Sequence, residues 1–371
     1  MIIGIDANEA NILTRVGVNV IAFELLWSLY RLRPKNISFR IFLSKPPLSD
    51  LPAEVGGWQY EVFGPKRFWT LFGLPKRLYF GKPRPKVMFS PSHYGPLFSP
   101  IPFVISIMDL GFLKWPGQFT KKDYFQLKYL TKQSVKKAAK IITISNFSKN
   151  DIVEKLDVKP NKVKVVYPGF SKDEKTNIEK VNVKKKYKIF NEYFLSLGTL
   201  KPSKNIDRLI KAYFKFSLKN PKIQLIIAGK KGWLYDRTFK LVKNLNLEDK
   251  VIFTGYISEA EKQALLIQAK ALMLPSLWEG FGIPVLEAMA VNVPVVCSKI
   301  TSLPEVAGNA AIYINNPESE ELIYKAMLKV VKLEGKERKS LLDEGLKQVK
   351  KFSWEKAAEQ TLAVLKQIGG E

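Results

Sequence analysis

The chain has 371 residues, 46% hydrophobic and 25% charged, with 60 lysine and arginine side chains against 34 aspartate and glutamate, a net charge of +26. This composition excludes a disordered polymer and gives enough length for two domains with separate cores, while a single cysteine, Cys297, excludes an intrachain disulfide framework. No apolar run approaches the ~18 residues of a spanning helix, and Met1-Ile2-Ile3-Gly4-Ile5-Asp6 enters a strand-like run without a basic leader or cleavage pattern, so the expected setting is cytoplasmic.

In chain order, strands are predicted at Ile2–Asp6, Ile37–Leu43, Val87–Ser90, Phe103–Ile107, Ile141–Ile144 and Val163–Tyr167 in the first half. In the second half they fall at Tyr193–Leu197, Gln224–Ala228, Val251–Thr254, Ala271–Leu274, Val293–Cys297 and Ala311–Ile314. Helical patterns lie between them, among them Val18–Leu32, Asp123–Ala139, Ile206–Leu218, Glu259–Ala269 and Glu320–Val331. Short, continuously apolar strands alternating with amphipathic helices predict α/β architecture with parallel sheets covered on both faces. The polar stretch 171–190 reads as a linker between a domain at 1–170 and a second at 191–354; a last helix near 355–371 is expected to pack back on the first domain. The resulting picture is two doubly wound Rossmann-like domains facing across a cleft, with ligands at the carboxyl ends of the strands.

Both halves are basic, since residues 1–180 carry 29 of the 60 basic and 14 of the 34 acidic side chains. Nucleic acid, anionic lipid and phosphorylated small molecules all suit that charge, and so does a merely lysine-rich proteome.

The segment richest in chemistry is Pro275-Ser276-Leu277-Trp278-Glu279-Gly280-Phe281-Gly282-Ile283-Pro284-Val285-Leu286-Glu287. A strand ends at Leu274, Gly280 and Gly282 let backbone N–H groups approach a ligand, and Pro284 suits the first turn of a helix whose N-terminus favours negative charge. Glu279 and Glu287 bracket this anion-binding turn, so phosphates can lie on amides while the carboxylates take hydroxyls of a sugar and a ribose. The plainer alternative is a glycine-rich turn with Glu287 serving the helix dipole.

This segment resembles the Glu-x7-Glu motif of the family-four retaining glycosyltransferases, and the likeness extends over most of the chain. Leu197-Gly198-Thr199-Leu200-Lys201-Pro202-Ser203-Lys204-Asn205 resembles the family's phosphate segment. Val251–Ser258 resembles its nucleobase strand and loop, and Ser302–Gly308 its S-L-P-E-V-x-G stretch. The resemblance implies the GT-B fold and transfer of a hexose, mannose foremost, from a GDP- or UDP-linked sugar to a glycan or lipid-linked acceptor in cell-surface polysaccharide or glycolipid synthesis.

Carried over by position, Lys204 contacts the donor diphosphate, with Gly198 and Ser203 beside it and Ser203 as a helix cap. Ser203 stands where the family has Arg. Glu279 holds the transferred sugar, helped by the amides of Gly280, Phe281, Gly282 and Ile283; Glu287 holds the ribose, and Tyr256 and Ile257 lie near the base. In Arg15-Val16-Gly17-Val18-Asn19 the resemblance gives Gly17 the close approach to phosphate, Asn19 replacing a second glycine. His93, the only histidine, is placed against the anomeric centre, and Asp109 is retained in a motif where Met108 replaces a histidine.

The chain contains no Asp-x-Asp, so no metal and no cofactor beyond the donor are expected, and the resemblance implies same-face substitution. Gly64–Met88 holds seven basic residues and no acidic one, interleaved with Phe68, Trp69, Phe72, Tyr79 and Phe80. That mixture suits peripheral contact with an anionic membrane at the inner face, and also the stacking of single-stranded nucleic acid or a helix packed on the core with solvated lysines. Two rival readings are a catalytically silent GT-B scaffold and a basic nucleic-acid-binding protein; hydrolysis of a nucleotide-sugar panel separates them from an enzyme.

Overall fold

The computed structural model describes residues 1–170, 181–230, 232 and 236–370. The chain divides into two compact units, Met1–Gly169 with Phe352–Glu371, and Phe170–Lys351. The first holds strands β1 (Ile2–Asp6), β2 (Ser38–Leu43), β3 (Trp58–Val62), β4 (Val87–Ser90), β5 (Phe103–Ser106), β6 (Lys140–Thr143) and β7 (Val163–Val165). Its helices are α1 (Val18–Leu32), α2 (Leu74–Phe80), α3 (Gly111–Lys114), α4 (Lys121–Lys137) and α5 (Asn146–Leu156).

The second unit runs α6 (Val183–Tyr187), β8 (Glu192–Leu197), α7 (Ile206–Lys219), β9 (Ile223–Ala228), α8 (Asp236–Asn244), β10 (Val251–Gly255) and α9 (Glu259–Ile267). It continues through β11 (Ala271–Leu274), α10 (Ile283–Ala290), β12 (Val295–Ser298), α11 (Leu303–Ala307), β13 (Ala311–Ile314), α12 (Glu320–Val331) and α13 (Gly335–Val349). The last helix, α14 (Trp354–Gly369), belongs to the first unit and packs on α1.

Both sheets are wholly parallel. Their orders are β3-β2-β1-β4-β5-β6-β7 and β10-β9-β8-β11-β12-β13, so each has one point where the winding reverses, between β1 and β4 and between β8 and β11. Crossover helices bury both faces, which is why β4, β5, β11 and β12 are buried at every residue. Phe42, Met88, Ile105 and Ile141 centre one core, and Tyr213, Phe216, Leu225 and Ile227 the other. Each such side chain is worth roughly 1.5–3 kcal/mol over exposure.

The strand missing from the sequence-based assignment is β3. Gln59 and Glu61 interrupt its apolar pattern because it is the edge of its sheet, where polar side chains discourage pairing with another chain. Part of the stretch read as linker is ordered: α6 lies in the second unit, where Lys186 and the Tyr187 hydroxyl (2.8 Å) both reach Glu261 on α9. The remainder, 171–180, lies outside the described residues.

Close packing at the reversal point of the second sheet rests on Gly229. Its φ is +154°, and a Cβ there would stand 2.0 Å from the Gly198 carbonyl oxygen. Gly229→Ala is expected to cost about 2–4 kcal/mol through overpacking and backbone strain. Calorimetry would record this as a lowered melting transition of the second unit; an unchanged transition would show that the Gly198 turn yields freely.

Candidate active site

In the second unit the loops after β8 and β11 meet at the reversal point. Glu279 is the centre of that meeting: its Oε1 accepts from Lys204 Nζ at 2.5 Å and from Ser276 Oγ at 2.7 Å. Both side chains of the ion pair are nearly buried, at 13% and 11% exposure. A bare carboxylate there would be costly, and Lys204 with the hydroxyl gives it partners and keeps it aimed. Gly198, at φ +136°, makes room for this lysine: a Cβ would lie 3.0 Å from Lys204 Cε.

Several hydrogen bonds fix the two loops to each other. Leu277 N donates to Ser203 O at 2.8 Å, and Asn205 Nδ2 donates to the carbonyls of Pro275 (3.0 Å) and Pro317 (2.6 Å). Asn205 takes left-handed backbone, φ 59°, just before α7. The residue at the head of α7 is therefore Asn205; Ser203 lies buried in a 3₁₀ turn, Pro202–Lys204, and is not the cap expected from the sequence. Ser302 Oγ bridges the carbonyls of Glu279 (2.9 Å) and Phe281 (2.8 Å), clamping the turn Glu279–Gly282. Gly282 enters α10 at φ 108°, where a Cβ would strike Leu303, and Pro284 occupies the first turn.

Glu287 falls on the second turn of α10. Its Oε1 accepts from Lys262 Nζ at 2.5 Å, and Lys262 also reaches Glu259 at 2.8 Å. Burial pushes the Glu287 carboxyl above its usual range while Lys262 pulls the other way; burial opposes the charge on Lys262, but Glu287 and Glu259 together hold its ammonium raised. Lys262 is absent from the residues picked out in the sequence, though a signal exists. It stands in the first turn of α9, behind the Ser258–Glu261 capping box, where the helix dipole disfavours a cation unless a carboxylate faces it. Tyr256 is exposed beneath Lys230 Nζ, 4.8 Å from the ring centroid, and Ile257 is half-buried beside it.

In the first unit, Gly17 (φ 52°) heads α1 with open space around its Cα. Arg15 turns away to a two-pronged pair with Asp50 at 2.6 and 2.9 Å. Asn19 Nδ2 donates to Glu9 Oε2 at 2.7 Å. His93 follows β4. Its Nδ1 is buried without a hydrogen-bond partner among the described residues, and its ring meets Phe112 edge-on at 5.8 Å. Burial lowers the imidazole's pKa and Asp109 counteracts only partly, so the ring is neutral at pH 7. Asp109 Oδ1 accepts from Gly111 N at 2.6 Å. Thus Lys204, Glu279 and the Gly280–Ile283 turn come together in one unit, His93 and Asp109 in the other.

The family model for glycosyl transferases group 1 matches residues 173–348. The O-antigen chain mannosyltransferase B of Escherichia coli is 32% identical over 270 residues, covering 71% of this chain and 70% of the relative. The chain belongs to the group 1 glycosyltransferases. A second glycosyltransferase, the O-antigen chain mannosyltransferase RfbU of Salmonella typhimurium, is 34% identical over 235 residues, 62% of this chain and 61% of that one. Among solved structures, HepE of Anabaena, determined with UDP and glucose, superposes with a TM-score of 0.73 at 16% identity over 98% of this chain and 99% of its own. The fold of this glycosyltransferase is GT-B-like.

A pocket of about 640 Å³ beside the first half of α7 is lined by Asn205 but by none of Lys204, Glu279 and Glu287, and two of its cations are paired, Lys211 with Glu320 (2.9 Å) and Arg237 with Asp207 (3.0 Å).

The end of β1 carries one further buried acid. Asp6 accepts from Asn8 N (3.1 Å) and Nδ2 (2.7 Å), yet burial raises its pKa to about 6, with Glu9 adding to the rise. A carboxyl raised in the folded state favours folding fully below its ordinary pKa, and that benefit is lost as pH climbs through 6. Tyr94 and Glu9, the other titrating groups coupled to it, are also acids. Asp6→Asn should therefore gain stability over the parent by on the order of 2–3 kcal/mol between pH 4 and 7.5 in urea unfolding. Equal differences at both pH values would show that Asp6 is not strained by burial.

Proposed function

We propose that this glycosyltransferase moves mannose from a nucleotide-linked donor to a glycan or lipid-linked acceptor in polysaccharide synthesis, with retention of configuration and without a metal ion. The observation that carries the reading is the Lys204–Glu279 pair set against the Gly280–Ile283 turn at the reversal point of the second sheet. The named activity of the two relatives supports mannose. GDP-mannose is the first donor to test, and the UDP bound to HepE makes UDP-linked sugars the second.

Donor phosphates lie on the amides of the turn and the N-terminus of α10, where fixed dipoles favour negative charge. Lys204, already at the edge of that turn, shares its protons between Glu279 and the departing phosphate as the C1–O bond breaks. Preorganised donors of this kind serve in place of a metal ion. The acceptor oxygen bonds to C1 on the face the phosphate leaves, and its proton passes to a phosphate oxygen. Glu279 holds the sugar's hydroxyls, Glu287 the ribose, Tyr256 and Ile257 the base. Neutral His93 offers an uncharged hydrogen-bonding ring to the sugar, and Asp109 is held in place through the Gly111 amide. No cofactor beyond the donor enters.

No helix among the described residues is long and apolar enough to cross a membrane. The proposal therefore includes a cytoplasmic setting with surface contact at the inner membrane face.

Lys204→Ala and Glu287→Ala should each lower turnover by roughly 10²–10³ with the fold intact, the scale of losing a charge-stabilising group. Wild-type transfer from GDP-mannose should persist in EDTA. Near-normal rates in both variants, or a loss in EDTA that Mg²⁺ or Mn²⁺ restores, would overturn the proposal.

A further inference from the structure

Lys262 lies outside every segment that resembles the family's donor motifs. Yet its ammonium stands 2.5 Å from the Glu287 carboxylate and 2.8 Å from that of Glu259. The lysine side chain is 24% exposed, that of Glu287 14% and that of Glu259 51%. One ammonium therefore spans a nearly buried acid on α10 and an exposed acid one turn back on its own helix. A cation so close to a helix N-terminus works against the helix dipole, so the needs of α9 alone do not account for it.

The first turn of α9 is fixed from several sides, which aims this lysine. Glu261, next to it in the chain, accepts from Ser258 N at 2.8 Å and from Ser258 Oγ at 2.9 Å in the capping box. The same carboxylate accepts from the Tyr187 hydroxyl at 2.8 Å and from Lys186, both on α6. Across from it, Glu287 is the one titratable side chain of α10. Leu303 of α11 lies against Gly282 at the start of that helix, and Gly345 of α13 lies against Met289. Strand β12 brings only the buried Cys297 thiol. Burial raises the pKa of the Glu287 carboxyl most; Lys262 lowers it, and Glu259 adds to the rise.

We propose that Lys262 is a positioning residue for ribose recognition: it holds Glu287 as a charged acceptor, with Glu259 as its second anchor, and so makes the site select ribonucleotides over deoxyribonucleotides. The inference rests on the donor reading above, which gives Glu287 the ribose, and adds the group that prepares this carboxylate for it.

The argument turns on acceptor capacity. An ionised carboxylate only accepts hydrogen bonds, and the two adjacent hydroxyls of a ribose can both donate to it; protonation turns one of its oxygens into a donor. Hydrogen bonds to the charged form are the stronger kind. With two carboxylates to one ammonium, the Glu259–Lys262–Glu287 group keeps an excess of acceptors, so the lysine does not exhaust what a ribose needs. A neutral side chain at position 262 leaves burial and Glu259 unopposed, and the Glu287 carboxyl then keeps its proton to higher pH. A pair that merely fastened α9 to α10 would have the same geometry. The hydroxyls of the nucleotide distinguish the two roles.

The test is calorimetric binding to the full chain between pH 5 and 9. The probes are GDP or UDP, whichever binds more tightly, and the 2′,3′-dideoxy form of the same nucleotide. Their ratio of dissociation constants cancels titration of the base and the phosphates. Wild type should favour the ribonucleotide by roughly tenfold or more, the scale of hydrogen bonds to a charged group. Lys262→Met should cut that preference below about threefold at pH 6.5 while binding the dideoxy form as wild type does. The preference should return as pH rises, with its midpoint moved up by about one unit or more. Lys262→Arg should keep the preference. Glu259→Gln should act in the opposite sense and raise the preference at pH 5, because the charge that adds to the rise is gone. In a Glu287→Gln background, Lys262→Met should change the ratio no further. A Lys262→Met variant that keeps the wild-type preference overturns the proposal. So does an equal loss of both nucleotides, which would make the pair a staple between helices; Lys262→Gln repeats the comparison if the methionine variant does not fold. A wild type that binds nucleotide but ignores the ribose hydroxyls would remove Glu287 from the ribose, and one that binds neither GDP nor UDP would defeat the donor reading itself.

Discussion

A carboxylate that must hold a sugar's hydroxyls inside a nearly closed loop needs a cation beside it, and a cation that must receive a leaving phosphate needs something to hold it before the phosphate arrives. In the proposed transfer, the 2.5 Å contact between Lys204 and Glu279 meets both requirements at once. Much of the second unit around it follows from that constraint. Gly198 is bare because Lys204 passes over it, Gly229 is bare because the Gly198 carbonyl turns toward it, and Asn205 adopts left-handed backbone to carry the lysine's turn against Pro275. Removing one partner of such a buried pair leaves the other uncompensated, so the pair is better understood as a preformed site than as a source of stability.

The Lys262–Glu287 pair repeats the device on the second turn of α10. Together the two pairs balance their own charges within a strongly basic chain. In the first unit, Asp6, Glu9 and Lys66 line a pocket at the carboxyl ends of β1 and β4. Each of these places lies where its own parallel sheet reverses winding.

The sequence made legible whatever depends on local pattern. Helix α1 and α12 begin and end where the periodicity places them, and the strands buried on both faces are apolar up to the serines that close β4, β5 and β12. Strand β3 escaped because an edge strand is written in polar residues. Glu279 and Glu287 were visible because glycines and a proline mark the turn between them, and Lys204 only through the resemblance of its segment to the family's phosphate segment. Lys262 and the Asp6–Glu9 acids were not singled out, since their meaning comes from partners far along the chain: Glu287 lies 25 residues from Lys262. Trp69 shows the same limit in reverse. Composition alone groups it with Phe68 and Phe72, and only packing separates the ring that faces the core from those that face solvent.

The central claim is that this geometry transfers mannose with its configuration kept. The most direct measurement is the one-bond carbon–proton coupling at C1 of the sugar in the product formed from GDP-mannose, an α-linked donor, and an alkyl glycoside acceptor. An α-linked product is the result that same-face substitution at Glu279 and Lys204 predicts. A β-linked product would contradict it, since it would require attack from the opposite face.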